Sequence, residues 1–244
     1  MRICIIIPVY NHPVAIVQLV KCLKPFGLFC FLINDGSSTE CSQVLSQISK
    51  QQSSWLTLYN REQNGGKGAA VIDGLQLAIQ QGFSHAIQVD ADGQHAIVDI
   101  KHFVKACQEN PQHLILGQPY FDQSVPKGRL YGRYFTNLWI WINTLSFAIK
   151  DGMCGFRCYP LSAVEPLLNS VCLGQRMDFD IEIVVRLYWQ GLDVINIPTQ
   201  IQYPLHGISH FQLFRDNLLI SKKHAQLFFA MLVRFPKLFL RSLK

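Results

Sequence analysis

Three short apolar runs, each ending in a polar cluster, constrain this chain more than any other feature. Arg2 to Val9 is apolar throughout after Arg2, Phe26 to Ile33 repeats the pattern, and His85 to Val89 is a shorter run broken by Gln88. Runs of that length without polar alternation are expected of strands buried on both faces. Helical spacings lie between them: Val14 to Leu23, a stretch reaching about Ser49 that Ser37, Ser38 or Thr39 could cap, and Ala69 to about Gln81. Trp55 to Asn60 adds a short strand. This alternation predicts an α/β fold with a Rossmann-like, mostly parallel sheet flanked by helices. Such sheets bind ligands outside the carboxyl ends of their strands. The loops expected there carry Asn11, Asp35 and the pair Asp90 and Asp92.

The stretch Asp90-Ala91-Asp92-Gly93-Gln94-His95 has the richest chemistry. Asp90, Asp92 and the amide oxygen of Gln94 are hard donors suited to Mg²⁺ or Mn²⁺. Taken alone, Asp-Ala-Asp-Gly is equally a turn. Asp35, after the second strand, can accept from a base or ribose, or simply start a turn. The cluster Asn64-Gly65-Gly66-Lys67-Gly68 suits a phosphate, because glycine lets backbone N–H groups approach oxygens closely. It lacks Walker A spacing, and a turn opening the next helix is its plain alternative.

Beyond Asp99 the pattern loosens. Asp99 to Glu109 reads as a helix, His113 to Leu116 as a strand, and Gly117 to Lys127 as a polar loop. Arg129 and Arg133 are four apart and share a helix face, fitting either a phosphate or a solvated basic surface. Leu138 to Ile149 is too short to span a bilayer and reads as a core or interfacial helix. Arg176 to Tyr188 reads as a helix with Asp178, Asp180 and Glu182 near its start, where the helix dipole favours acids. Leu192 to Ile197 is a further strand, extended past Pro198 by Thr199 to Tyr203. Residues 211–244 mix leucine and phenylalanine with Arg215, Lys222, Lys223, Arg234, Lys237 and Arg241. That mixture predicts a basic amphipathic segment lying in an anionic membrane interface, appended to a domain of residues 1–210.

Composition narrows the partners. The net charge of +6, from 22 Lys+Arg against 16 Asp+Glu, suits an anionic ligand or surface. The basic residues concentrate in the apolar tail rather than in a recognition motif, so no nucleic-acid partner is expected. Eight cysteines without a C-x-x-C pair argue against zinc and for a reducing compartment. Ile3 to Ile7 before Pro8 is strand-length, unlike a signal peptide.

Taken together, Pro8-Val9-Tyr10-Asn11, Asn34-Asp35-Gly36-Ser37, Asn64-Gly65-Gly66-Lys67-Gly68 and Asp90-Ala91-Asp92-Gly93-Gln94-His95 resemble a family 2 glycosyltransferase of GT-A fold. Gly155-Phe156-Arg157, Phe179-Asp180-Ile181-Glu182, Arg186, Gly191, Ile197-Pro198 and Gly207-Ile208-Ser209 extend the likeness over about residues 3–210. The branch it is most similar to is that of the polyprenyl (dolichyl) phosphate mannose synthases. The resemblance implies a nucleotide-diphosphate sugar donor, a polyprenyl phosphate or other lipid-linked acceptor, and peripheral contact with the cytoplasmic face of a membrane. It implies that Pro8, Tyr10 and Asp35 hold base and ribose, with Lys67 close to the nucleotide. Asp90 and Asp92 would be the D-x-D pair, with Asp92 and Gln94 contacting metal and Asp90 holding ribose or orienting the loop. Arg129 and Arg133 would bind acceptor phosphate or donor diphosphate, and Asp180 would fall near the base position. Two departures stand out: Asn34 occupies a position where the family commonly has aspartate, and the base lies open between Asp178 and Asp180. An alcohol acceptor needs a base; a phosphate acceptor does not. A non-catalytic nucleotide-sugar or lipid-binding module on the same fold is the alternative.

Overall fold

The computed structural model describes residues 1–121, 127–201 and 212–242, with the side chains of Phe121, Lys127, Arg129 and Leu213 outside that description. β1 (Ile3–Val9) is buried along its whole length. Its side chains alternate between two cores, Cys4 and Ile6 facing one and Ile5 and Ile7 the other. A strand covered on both faces has no polar side to show, hence the unbroken apolar run. β2 (Phe29–Asn34) and β4 (His85–Gln88) flank β1 in parallel, and β3 (Leu56–Asn60) follows outside β2. β6 (Arg157–Pro160) runs antiparallel beside β4, then β5 (Leu114–Phe121) and β7 (Val194–Ile201) complete the order β3-β2-β1-β4-β6-β5-β7. The loops after β2, β1 and β4 are therefore neighbours at one sheet edge.

One face is covered by α1 (Pro13–Leu23), α2 (Thr39–Gln51) and α4 (Ile100–Glu109). The other carries α3 (Lys67–Gln80), α6 (Leu161–Ser170) and α7 (Phe179–Trp189). Several boundaries differ from the expected ones for local or long-range reasons. β2 starts at Phe29 because Lys24–Phe26 forms a 3₁₀ turn closed by Gly27 at φ 64°. β5 runs on through the supposed polar loop because β7 pairs with it residue by residue as far as Phe121. α6 carries Pro166 in its interior, which hides it from a propensity reading, yet buries Leu161, Val164 and Leu167. α7 opens at Phe179 rather than Arg176, because 176–179 closes as a tighter turn in which the Phe179 N–H donates to the Arg176 carbonyl at 3.2 Å.

α5 (Lys127–Thr144) is amphipathic the wrong way round for a core helix. Apart from Ile140, its buried residues are polar, Thr136, Asn137, Asn143 and Thr144, while Tyr131, Tyr134, Phe135 and Leu138 stand exposed. α8 (Leu213–Ser242) lies against α5 and α7. Its inward stripe is Asp216, Ile220, His224, Leu227, Met231 and Leu238, all buried at helical spacing. Burial pushes the His224 imidazole down to about 4, so it packs as a neutral ring, 3.4 Å from Asn143 Nδ2. No helix among the described residues is long and apolar enough to cross a membrane.

The far end of α8 is fastened by Arg241. Its guanidinium donates to the Tyr188 and Leu192 carbonyls at 2.5 and 2.6 Å and lies over the Tyr188 ring. The Tyr188 carbonyl, which also accepts from the Gly191 N–H at 3.0 Å, and the Leu192 carbonyl just past the end of α7 are acceptors that a cation suits. Arg241→Ala is expected to loosen the last turns of α8, and limited trypsin digestion should then cut after Lys237 several-fold faster. An unchanged cleavage rate would show that packing alone holds the helix end.

Candidate active site

The loop after β2 is built around Asp35, which is buried. Its oxygens accept from the backbone N–H groups of Gly65 and Gly66 at 2.9 and 2.8 Å, from Asn64 Nδ2 at 2.9 Å and from Arg61 at 2.5 Å. Arg61 also donates to Asp73 on α3 at 2.7 Å. Asp35 therefore ties the glycine loop to the sheet edge, and its carboxylate is fully engaged by the chain itself. Asn34 beside it has an equally local task. Its amide donates to Asn60 Oδ1 at 2.9 Å and Ser42 Oγ at 3.1 Å, which an ionised carboxylate could not do. Asn11 accepts from the Ser38 backbone at 2.8 Å, joining the loops after β1 and β2. Pro8 lies within β1 itself, and Tyr10 is half-buried just beyond it.

Lys67 opens α3 with Gly66 as the preceding cap at φ 101°, a conformation suited to glycine. From there its ammonium reaches two carboxylates from distant parts of the chain: Asp90 at 2.9 Å and Asp180, on the first turn of α7, at 2.8 Å. Arg157, wholly buried on β6, stands 3.4 Å from Asp180 Oδ1 and donates to the Asp180 carbonyl at 2.7 Å. It also contacts the Tyr159 hydroxyl at 3.4 Å. Tyr159 donates to Gln88 at 2.9 Å, and Gln88 returns to Asp90 at 3.4 Å. Lys67, Asp180, Arg157, Tyr159, Gln88 and Asp90 thus close a ring in which two cations balance two anions. A Cβ at residue 155 would meet Asp90 Oδ2 at 2.1 Å, so Gly155 is what lets β6 approach the ring.

The electrostatics follow from that balance. Burial alone would push the Lys67 ammonium down, but Asp180 and Asp90 outweigh it and hold the group above the ordinary lysine range. Burial would raise Asp90, but Lys67 and then His95, 3.6 Å away, hold its carboxyl well below the usual range. Burial pushes the Tyr159 phenol up to about 12, so it stays a donor to Gln88. Asp92, two residues after Asp90, is different. It is half-buried, its Oδ1 accepts from the Gln94 backbone at 3.0 Å, and among the described residues it has no cation partner. The loop that carries it is moored by a His95–Ile201 bridge and by Thr199 donating to Asp99 at 2.8 Å.

Of the two arginines proposed for phosphate, Arg133 is on α5 and forms a two-pronged pair with buried Asp151, Nη2 to Oδ1 at 2.7 Å. Asp151 Oδ1 also accepts from Met153 and Cys154, so Arg133 braces the loop that leads to Gly155 and Arg157. The Arg129 side chain lies outside the described residues, as do His206 and His210. Asp178 and Glu182 both face Lys223 of α8, at 3.6 and 2.7 Å. The structure thus unites Lys67, Asp90 and Asp180, keeps Asp92 and Gln94 adjacent, and separates Asp178 from the ring. Sequence reasoning missed Arg61, Gln88, Tyr159 and the charge role of Arg157. A polar Gln and a lone Arg within apolar strands were the available signals.

A nucleotide-binding type of α/β sheet with acids, a lysine and a glycine loop at its carboxyl edge defines a class; similarity narrows it. The model of glycosyl transferase family 2 matches residues 4–164, and the chain belongs to that family. Polyprenol monophosphomannose synthase of Mycolicibacterium smegmatis is 23% identical, over 81% of this chain and 76% of that one. The UDP-N-acetylglucosamine–dolichyl-phosphate N-acetylglucosaminyltransferase of Methanococcus voltae is 24% identical, over 85% and 88%. Among solved structures, glucosyl-3-phosphoglycerate synthase from Mycobacterium tuberculosis, in complex with Mn²⁺, UDP-glucose and glycerol 3-phosphate, superposes with a TM-score of 0.63. It is 14% identical, over 96% of this chain and 79% of that one. The fold is GT-A, and the chain is a glycosyltransferase.

The ring makes a pH prediction. Asp90 titrates below its unfolded value of about 3.9, so its contribution to stability is complete above that pH and is lost as pH falls through the folded value. In Asp90→Asn that acid-sensitive contribution is gone, and urea midpoints should decline less steeply than in the wild type between about pH 5 and 2. An acid limb as steep as the parent's would assign the effect to other carboxylates.

Proposed function

We propose that this glycosyltransferase is metal-dependent and inverting, and moves a sugar from a nucleotide-diphosphate donor to a lipid-linked phosphate. The observation that carries this reading is Asp92, a carboxylate without a cation partner among the described residues beside a ring whose charges are already balanced. No group of three or more His, Cys, Asp or Glu side chains among the described residues could hold a metal by itself. Mg²⁺ and Mn²⁺ need no such group, since they take one or two carboxylates and complete their shell with substrate phosphate and water. Asp92 and Gln94 would hold the ion, which when bound supplies Lewis acidity to the departing diphosphate. The curated relatives named for dolichyl phosphate or polyprenol acceptors, and the fold neighbour holding Mn²⁺ with UDP-glucose, support the same chemistry.

The chain's own groups then divide the work. Pro8, Tyr10 and the Asp35 loop flank the nucleotide end. Lys67, held between Asp90 and Asp180, fixes the edge of the donor site rather than meeting the leaving group as a free charge. Arg133 keeps to Asp151 and braces the loop before Gly155, and the phosphate role on that helix falls to Arg129. Asp90 holds Lys67 in place. Attack from the face opposite the leaving group inverts the sugar carbon. Asp180 is already bonded to Lys67 and stands beside Arg157, and Asp178 faces Lys223, so neither is open to a hydroxyl without displacing a cation. A phosphate acceptor, an anion that needs no base, fits this arrangement better than an alcohol.

The lipid acceptor agrees with the outward apolar surface. Tyr131, Tyr134, Phe135 and Leu138 form an exposed stripe on α5, and Phe229 and Leu232 are exposed on α8, near Lys222 and Lys237. Aromatic side chains interleaved with lysine suit an anionic headgroup layer, here the cytoplasmic membrane face.

Two experiments test these readings. GDP-mannose, UDP-glucose and UDP-N-acetylglucosamine, each with polyprenyl phosphate and Mn²⁺, should reveal a donor by release of the nucleoside diphosphate. Asp92→Ala should then lose about 10²–10³-fold in kcat or more while its circular dichroism is unchanged, and near-normal turnover would sink the metal assignment. In flotation, the protein should rise with phosphatidylglycerol vesicles and not with phosphatidylcholine alone. Lys222→Glu combined with Lys237→Glu should weaken this, and equal flotation with both lipids would remove the electrostatic part.

A further inference from the structure

Lys223 stands on α8, outside the ring around Lys67, yet its contacts lead there in three steps. Its ammonium lies 2.7 Å from Glu182 Oε2 and 3.6 Å from Asp178 Oδ2, joining the tail helix to the first turn of α7. Glu182 is almost wholly buried, and its Oε2 also accepts from the Gly174 backbone at 2.7 Å, while Arg186 holds Oε1 at 2.8 Å. Asp178 Oδ1 accepts from the Arg176 backbone at 3.2 Å. The two acids that Lys223 grips therefore fix both ends of the segment 174–176.

That segment in turn clasps the glycine loop. The Gln175 carbonyl accepts from the Ala69 backbone at 2.9 Å. A Cβ at residue 66 would come within 2.7 Å of the Gln175 carbonyl oxygen, and one at residue 68 within 2.7 Å of the Gly174 carbonyl oxygen. Both neighbours of Lys67 are thus in van der Waals contact with the segment that Lys223 holds. Asp180, the other partner of Lys67, lies between Asp178 and Glu182 on the same first turn.

We propose that Lys223 is a positioning residue: it makes the seating of α8 a condition for the correct placement of Lys67 against Asp180. It touches no reacting atom. A carboxylate buried as deeply as Glu182 is costly without its cations, so losing Lys223 should release the 174–176 segment before it disturbs the sheet. Through this clamp the tail helix, on the reading above the part that meets the membrane, governs how Lys67 and Asp180 are set for turnover. The kinetic part of the proposal rests on that reading; the structural part does not.

The test uses the full chain with Lys223→Gln and Lys223→Arg. Hydrogen exchange followed by mass spectrometry should show faster exchange at residues 66–69 and 174–178 in Lys223→Gln, with β1 and β4 as protected as in the parent. Lys223→Arg, which keeps the charge, should restore most of that protection. With the donor found above, Lys223→Gln should lose about tenfold in kcat while the donor KM stays within about twofold, and the arginine variant should recover most of the rate. Unchanged exchange at 66–69 in Lys223→Gln overturns the clamp. So does exchange raised equally across the sheet in both variants, which would mean general loosening. Altered local exchange with unchanged kcat overturns its role in turnover. If the parent turns over no nucleotide sugar, the transferase reading fails, and the exchange result still decides the clamp.

Discussion

The double ion pair of Lys67 is the contact on which the site depends. One ammonium joins the start of α3, the end of β4 and the first turn of α7, segments far apart in the chain. A lysine between two carboxylates would be unstable if buried with an excess of negative charge. Arg157 offsets that excess from 3.4 Å, and Tyr159 and Gln88 carry the chain of contacts back to Asp90, while Asp180 Oδ1 has the Arg157 charge beside it but no hydrogen bond among the described residues. A polar cluster at this depth is costly unless its charges are paired, and the pairing of two cations with two anions holds the members in one arrangement. Asp92 stands next to that arrangement without sharing in it, so rigidity falls to Asp90 while the carboxylate two residues on keeps no cation partner among the described residues.

The glycine loop shows the same economy of parts. Asp35 grips it from the β2 side through Gly65 and Gly66, and segment 174–176 grips it from the α7 side through Ala69. Lys67 sits between these two anchors. α8 completes the second anchor with Lys223 and closes the end of α7 with Arg241. The tail is accordingly fastened to both ends of the helix that carries Asp180, while the apolar residues of its other faces remain exposed.

Much of the sheet could be read from the chain because each buried strand near the N-terminus is a continuous apolar run closed by a polar cluster. The neighbourhood of Asn11, Asp35 and Asp90 followed from parallel topology. Where reading failed, the cause was non-local. β5 looks polar beyond Gly117 but is held by pairing with β7, which follows some eighty residues later, from Val194. α6 contains a proline and forms because its buried face outweighs the lost hydrogen bond. α5 has a legible helical period, but which of its faces turns inward depends on Trp189 and His224 meeting the polar side through Asn143.

By itself the sequence determined the alternation of strand and helix, the identity of the acids and the lysine at the strand ends, and the family they resemble. These depend on local periodicity and on residue type, which survive without coordinates. Tertiary structure alone decided the pairings: that Asp35 serves the glycine loop, that Asp180 rather than Asp178 meets Lys67, that Asp90 is neutralised while Asp92 is not. A carboxylate's role depends on which charges fold to within about 4 Å of it, and no spacing along the chain records that.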